Sequence, residues 1–312
     1  MGIQHLNRYL LDHCKKTSIQ KIHLNVLANK IVAIDISIYL YKFVAGNALL
    51  EHLYLMISLL RHYQIIPIFV FDGKPPAEKR ELLLKRRLLK REAEEKYQLL
   101  KEAMDGQSEV DAELLKELEA LKKQMTSITF DQLYQAKELM DAYGVHYICA
   151  EGEADVLCVQ LVKSGKAWGC MSDDMDMFVY GCPRVFRQLS MMNHNIMFYD
   201  TSAILGDLGM DFKTFQQIAI LSGTDYSSET NHSLKKTMQH YQDYKKSDKD
   251  ESFCTWLKKT TDYIDDDVFE MVIGMFEVED LGEMYLHEYV NHPIKMHALQ
   301  TIMATDGFVF VH

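Results

Sequence analysis

Short apolar runs alternate with stretches of helical periodicity through the first two thirds of the chain. Residues 30–34 (KIVAI), 65–71 (IIPIFVF), 145–149 (VHYIC) and 167–171 (AWGCM) are short and continuously apolar, the pattern of buried strands. Between them the apolar positions recur at helical spacing. In 49–63 they fall at 49, 50, 53, 56, 57 and 60. A second helix is predicted over 129–142, stopped by Gly144, and a third over 153–163, closed by Gly165. The alternation predicts an α/β fold with a central, mainly parallel sheet flanked by helices.

The stretch 74–128 interrupts this rhythm as a long helical insertion. One helix opens after Pro75-Pro76, Asp105-Gly106 breaks it, and Ser108-x-x-Asp111 restarts it as a capping box. Apolar residues at 110, 114, 115, 118, 121 and 125 make the second arm amphipathic, so the insertion reads as a helical hairpin. A further helix is expected over 211–222. Residues 226–252 are polar and lysine-rich and mark a change of region, followed by a helical tail around Trp256 and over 267–290. The expected division is therefore 1–226 and 227–312.

Charge changes the picture only once it is located. The 312 residues hold 34 Lys and Arg against 45 Asp and Glu, a net −11, which on average disfavours a nucleic-acid partner. Residues 74–101 alone hold ten basic and five acidic side chains, leaving 24 basic and 40 acidic elsewhere. At 100° per residue Lys79, Arg86 and Lys90 share one face, with Arg80, Arg87 and Arg91 on the adjacent stripe. Such a face is ordinarily a solvated surface, and alternatively a grip on phosphate. No apolar run approaches the about 20 residues of a membrane span, and no secretory segment is evident. Six cysteines without a CxxC pair fit an intracellular, reducing compartment. No phosphate-binding GxxxxGK[ST] loop is present, and the histidines have no metal-ligand spacing.

Candidate chemistry sits at the strand ends. Asp35, Asp72, the Glu153/Asp155 pair and the Asp174/Asp176 pair each lie just beyond a predicted strand, and Asp225 follows the 211–222 helix. In an open parallel sheet those positions converge on one rim. Singly, each has an ordinary explanation as a strand-end or helix cap. Seven carboxylates on one rim repel one another unless cations intervene, and oxygen-only ligands suit Mg²⁺ or Mn²⁺. Two such ions about 3.5–4 Å apart can activate water and stabilise the leaving oxygen of a phosphodiester.

These segments resemble the flap endonuclease family of structure-specific 5′ nucleases. The matching stretches are MGIQHL (1–6), VAIDISIYLYKF (32–43), VFDGKPPAEKRELLLKRR (70–87), EGEADVLCVQLVKSGK (151–166), SDDMDMFVYG (172–181) and LSGTDY (221–226). The resemblance implies two Mg²⁺ ions, with Mn²⁺ as a substitute. Asp35, Asp72, Glu153 and Asp155 would serve chiefly one, and Asp174, Asp176 and Asp225 the other. Counting from Gly144 and from Gly165 leaves Glu151 outside the set. Lys79 and Arg86 match the family's catalytic cations on its helical arch (74–128), and Tyr41 the aromatic that stacks a base. Gly2 matches a chain end that approaches the site once Met1 is removed. Arg80, Arg87, Lys90, Lys235 and Lys236 are further candidates for contact with phosphate. Aspartate at 155 resembles the exonuclease branch.

Three departures qualify the resemblance. Asp35 and Asp72 are 37 residues apart, shorter than in the cellular flap enzymes, and the shortfall falls where the family shapes its 3′-flap pocket. The stretch 227–236 (SSETNHSLKK) lacks the glycines of the family's helix–hairpin–helix. The end, DGFVFVH, carries no sliding-clamp motif. The expected function is a Mg²⁺-dependent nuclease of flap, nicked or ended DNA, endonuclease and 5′→3′ exonuclease combined, at a site of DNA replication or repair such as the nucleus. The same chemistry on RNA is the alternative. A non-catalytic scaffold is the third reading, but it would be expected to lose ligands, and all seven acids are present.

Overall fold

Alternation along the strands divides the core in two. In the computed structural model, which describes residues 3–104, 112–226, 232–247, 251–285, 287–308 and 310, the strands are β1 (Ile19–His23), β2 (Ile31–Asp35), β3 (Ile66–Phe71), β4 (His146–Cys149), β5 (Gly169–Met171), β6 (Arg184–Ser190) and β7 (Asn195–Asp200). They form one sheet in the order β1-β7-β6-β5-β2-β3-β4. β6, β5, β2, β3 and β4 are parallel, and β7 is antiparallel to both its neighbours. Val32 and Ile34 of β2 face one side with Phe69 and Phe71 of β3, whereas Ala33, Ile68 and Val70 face the other. Each fully buried side chain of this size contributes roughly 1.5–3 kcal/mol.

Helices cover both faces. In the first half they are α1 (Leu6–His13), α2 (Ser37–Ala45), α3 (Leu49–His62), α4 (Arg80–Met104), α5 (Ala112–Met125) and α6 (Phe130–Tyr143). Then come α7 (Ala154–Lys163), α8 (Asp176–Val179), α9 (Thr201–Leu208), α10 (Phe212–Leu221), α11 (Leu234–Lys246), α12 (Phe253–Thr260), α13 (Asp266–Met275) and α14 (Met296–Ala304). Leu40, Leu53, Met56, Leu139 and Leu299 bury α2, α3, α6 and α14 against the Val32 face. Leu6, Leu157, Phe178, Phe215, Met238, Trp256 and Phe269 bury helices from α1 to α13 on the other. Start and stop signals work locally. Thr129 and Gln132 cap α6 reciprocally, and Gly144 ends it at φ +65°.

The four expected strands are β2 to β5, shifted by a residue or two. β1, β6 and β7 were not expected. β1 (IQKIH) exposes most of its length and β6 (RVFRQLS) is largely polar, so neither forms an apolar run, whereas β7 (NIMFYD) carries the apolar run 196–199, which sequence reasoning missed. The hairpin insertion is α4 packed on α5, with Ala93 and Leu121 buried between the arms. Its expected turn at Asp105-Gly106, and the Ser108–Asp111 capping box, lie outside the described residues. Two expectations are corrected. Residues 77–79 form a 3₁₀ turn before α4 begins at Arg80, because Pro76 holds an extended backbone (φ −64°, ψ 154°), so Lys79 stands before the helix rather than on it. The tail over 267–290 is α-helical only to Met275, with one 3₁₀ turn at Glu283–Tyr285 after it. Beyond Met275 the chain is acidic, contains Gly282 and Pro293, and lacks a helical stripe. Instead it straps the C-terminal end of α6, with His292 N–H donating to Gly144 O (2.8 Å) and Lys295 N–H to Ala142 O (2.7 Å). Among the described residues no helix is long and apolar enough to cross a membrane.

Candidate active site

From β2 the parallel sheet extends one way through β3 and β4 and the other through β5 and β6, so the carboxyl ends of β2 and β5 flank a switch point. Asp35 is the last residue of β2, Asp72 follows β3, and Glu153 and Asp155 open α7. Asp174 and Asp176 lie between β5 and the first turn of α8, and Asp225 follows α10. The fold brings these acids within each other's electrostatic reach. Asp155 is raised by Asp35, Asp174, Asp176 and Asp72, and Asp174 by Asp225.

Hydrogen bonds fix the rim from behind. Asp35 accepts from the Ser37 N–H (3.1 Å) and from Ser172 Oγ (3.1 Å). Asp72 accepts from Ser37 Oγ (2.6 Å) and from the Ala154 N–H at the start of α7 (2.9 Å). Capping is therefore part of what Asp72 does. Glu153 occupies the N-cap position of α7 without capping it. The turn after β5 is wound on itself: Asp174 N–H donates to Ser172 Oγ (3.2 Å) and Asp176 N–H to Asp174 Oδ1 (3.1 Å). Buried Arg187 braces that turn through the Asp173 carbonyl (2.6 Å) and Asn7 Oδ1 (2.7 Å).

Burial dominates the electrostatics. Asp35, Asp174 and Asp176 are 5%, 5% and 3% exposed. Burial, then the neighbouring Asp72 charge, pushes the Asp35 carboxyl up to about 7 against the pull of its serine hydrogen bonds. Burial also holds Asp155 well above the usual carboxylate range, and the other rim acids add to it. Asp176 is raised well above that range by burial and then by Asp174 and Asp225. Asp155 Oδ1 and Asp176 Oδ1 are buried with no hydrogen-bond partner. Crowded, dehydrated carboxylates with orphaned oxygens fit hard divalent cations in donor type and in charge. Among the described residues no three acid, histidine or cysteine side chains are drawn close enough to enclose an ion. The donor set thus fits a hard cation in chemistry, while the described acids are not drawn together around one point.

Two cations from the insertion already reach the rim. Lys79 Nζ lies 2.6 Å from Glu153 Oε1, and Arg86 Nη2 lies 2.7 Å from Asp225 Oδ2. Burial opposes the Lys79 charge, but its bond to Glu153 and that carboxylate's field leave its pKa raised overall. Although Lys79 precedes α4, it and Arg86 meet the same rim. Arg80 and Arg87 are exposed on the insertion. Lys90 is spent between the arms, donating to Thr126 O (3.3 Å). Tyr41 is 51% exposed on α2, not the buried helix tyrosine that is its ordinary alternative. Lys235 and Lys236 are exposed in the first turn of α11, and Lys236 Nζ stands 5.0 Å over the Tyr263 ring. Gly2 lies outside the described residues. Sequence reasoning missed Ser37, Ser172 and Arg187, which orient the acids, and Tyr226, which contacts Glu153. The first two carried a signal, as D-x-S and S-x-D spacings around candidate ligands.

Comparisons with known proteins bear on the family and the fold. Residues 1–93 match the XPG N-terminal domain and residues 144–225 the XPG I-region. The chain is 31% identical over 257 residues to Flap endonuclease 1 of Cryptosporidium muris, covering 72% of this chain and 52% of that protein. It is 32% identical over 245 residues to Flap endonuclease 1 of Glycine max, covering 72% and 62%. The chain thus spans about half to three fifths of the length of the curated relatives it matches. The catalytic core of Rad2 in complex with DNA substrate superposes with a TM-score of 0.69 at 23% identity, over 98% of this chain and 96% of that one. Flap endonuclease-1 from Methanococcus jannaschii superposes at 0.65 and 22%, over 98% and 93%. At those identities the likeness speaks for the fold. Because the two XPG segments follow one another in order over more than half of the chain, and the rim acids fall within them, the chain belongs to the XPG/flap endonuclease family.

Proposed function

We propose that the chain is a structure-specific 5′ nuclease that hydrolyses phosphodiester bonds in flap, nicked or ended DNA with the help of two Mg²⁺ ions, for which Mn²⁺ can substitute. The observation that carries the reading is the meeting of two charge sets. Seven carboxylates line one sheet rim, and two cations from the insertion stand on two of them. In this reading Asp35, Asp72, Glu153 and Asp155 hold one ion, and Asp174, Asp176 and Asp225 the other. When bound, the ions would supply an activated water and stabilisation of the leaving oxygen. Lys79 and Arg86 then face a phosphate placed over the rim and offset the charge that develops on it. Exposed Tyr41 offers a ring face for a terminal base, and the α4–α5 arch spans the approach of a single strand. Residues 1–226 would form the catalytic unit and 227–312 a helical region beside it. The Rad2 catalytic core, a structural neighbour, was solved in complex with DNA substrate, which supports DNA as the substrate here; a place in DNA replication or repair is part of the proposal.

Asp174→Ala tests the reading. The variant should lose Mg²⁺-dependent cleavage of a 5′-labelled flap while still binding it, because the hydrogen bonds of Asp174 are made within its own turn rather than to the insertion. Comparable cleavage by the variant would overturn the metal assignment. A panel of single-flap, double-flap, nicked, blunt and single-stranded RNA substrates separates the DNA reading from an RNA one. Preferential cleavage of RNA would move the substrate class and leave the chemistry in place.

A further inference from the structure

Tyr226 makes two contacts that the roles above leave unexplained. Its hydroxyl donates to Glu153 Oε2 (2.7 Å), while Lys79 Nζ holds Oε1 of the same carboxylate (2.6 Å). Lys79 Nζ also stands 4.7 Å from the centroid of the Tyr226 ring. One side chain thus touches both a candidate ligand and a candidate catalytic cation. Its own position is fixed from behind. Tyr180 Oη lies 3.3 Å from Tyr226 Oη, and the buried Phe276 ring meets Tyr226 edge-on at 5.5 Å and Tyr180 at 4.7 Å.

A cavity of about 560 Å³ opens beside Glu153, walled by Tyr180, Tyr226 and Tyr285 among others. With open space on that side, the hydrogen bonds from Tyr226 and Lys79 together set the rotation of the carboxylate. The ring face in turn gives Lys79 a second partner when Oε1 is engaged elsewhere.

We infer that Tyr226 is a positioning residue of the active site, which orients Glu153 toward a divalent cation and keeps Lys79 aimed at the scissile phosphate. The inference rests on the nuclease reading of the same rim, and its test separates the two. Tyr226→Phe keeps the ring and removes the hydroxyl, and Tyr226→Leu removes both. Three quantities are measured: the Mg²⁺ concentration at half-maximal thermal stabilisation, which needs no turnover, the single-turnover cleavage rate, and flap affinity. Tyr226→Phe should raise the Mg²⁺ midpoint about 10-fold and slow cleavage about 10-fold at limiting Mg²⁺, the lower end of the usual effect of removing an outer-shell partner. The rate should recover when Mg²⁺ is raised, with flap affinity unchanged. Tyr226→Leu should keep a residual defect that Mg²⁺ does not repair, and that defect should vanish in a Lys79→Ala background. A Tyr226→Phe variant with the parent's Mg²⁺ midpoint and rate overturns the inference, as does lowered thermal stability with no change in midpoint, the mark of a purely structural residue. If Asp174→Ala cuts normally, it is the nuclease reading that fails, whatever Tyr226 does.

Discussion

Asp174 and Arg86 come to the same site from opposite kinds of ground. Asp174 is 5% exposed, bonded to its own turn, and that turn is braced by a buried arginine. Arg86 rides on a 25-residue helix that exposes Leu84, Leu88, Leu89 and Leu99, and it meets the body through an ion pair with Asp225. The rim is thus part of the core's hydrogen-bonded framework, whereas the first arm of the insertion meets the rim through side-chain charge. One fold uses the first kind of ground for groups that must hold a cation at fixed distances. It uses the second for groups that must meet an incoming chain. Changes at the rim should therefore cost stability and activity together, and changes along the insertion should cost little of either unless they touch Lys79 or Arg86.

The sharpest way to break that contrast is to part the loops that carry Asp72 and Glu153. Gly73 N–H donates to Gly152 O (2.7 Å) and Lys74 N–H to Glu151 O (3.1 Å), so the two loops lie backbone to backbone. A Cβ on residue 73 would stand 1.9 Å from Ala150 O and 2.7 Å from Glu151 O, and both obstacles are main chain. Gly73→Ala should lower unfolding free energy by about 1–3 kcal/mol, as overpacking does. Separating the loops should also cut kcat/KM about 100-fold, the usual cost of about 1 Å of misplacement. Calorimetry and flap cleavage measure the two effects. A variant equal to the parent in both would mean that the loops slide without disturbing the acids.

Legibility in the sequence follows the same division. Asp35, Asp72, Glu153, Asp155, Asp174 and Asp176 could be put forward because apolar strand runs end before them and strand ends define a rim, whereas Asp225 follows a helix and rested on the resemblance. The 3.6-residue pattern likewise placed α3, α6 and α7 within a residue or so of their observed bounds. Lys79 was put on the wrong local structure because helical periodicity extrapolates through a 3₁₀ turn that Pro76 imposes. The strap after Met275 could not be read, since its partners are backbone groups of Ala142 and Gly144 more than a hundred residues away. Tyr226 escaped for a similar reason. Its contacts, to Glu153, Lys79 and Tyr180, are all tertiary, and nothing in LSGTDY marks them.

A smaller effect tests whether the rim is built for cations. In the metal-free protein the Asp35 carboxyl is pushed up to about 7, and Asp155, Asp174 and Asp176 are raised as well. An unfolded aspartate releases its proton near 3.9. Between about pH 4 and pH 7 the folded chain therefore holds protons that the unfolded chain has given up. Stability from these groups is complete below about pH 4 and is lost as pH rises through the folded values. Metal-free melting temperature should fall over that window. Added Mg²⁺ should restore it at pH 8 and do little at pH 5, with each kcal/mol worth about 2 °C in a chain of this size. Equal Mg²⁺ effects at the two pH values would show that the raised carboxyls are not where the cation binds.

The smallest expected effect lies between the two arms of the insertion. Lys96 Nζ stands 2.6 Å from Glu117 Oε1, and the side chains are 58% and 43% exposed. Water and salt screen such a pair, and holding two long side chains together costs entropy, so its net worth is about 0.5 kcal/mol. Lys96→Ala should leave the melting temperature within about 1 °C of the parent and leave flap cleavage at saturating Mg²⁺ unchanged. The buried contact of Ala93 and Leu121 continues to join the arms in the variant. If Lys96→Ala instead destabilised the protein as strongly as Gly73→Ala, the arms would be cooperative with the core. The insertion would then have to be regarded as framework, like the rim, rather than as an arm that meets the rim through charge.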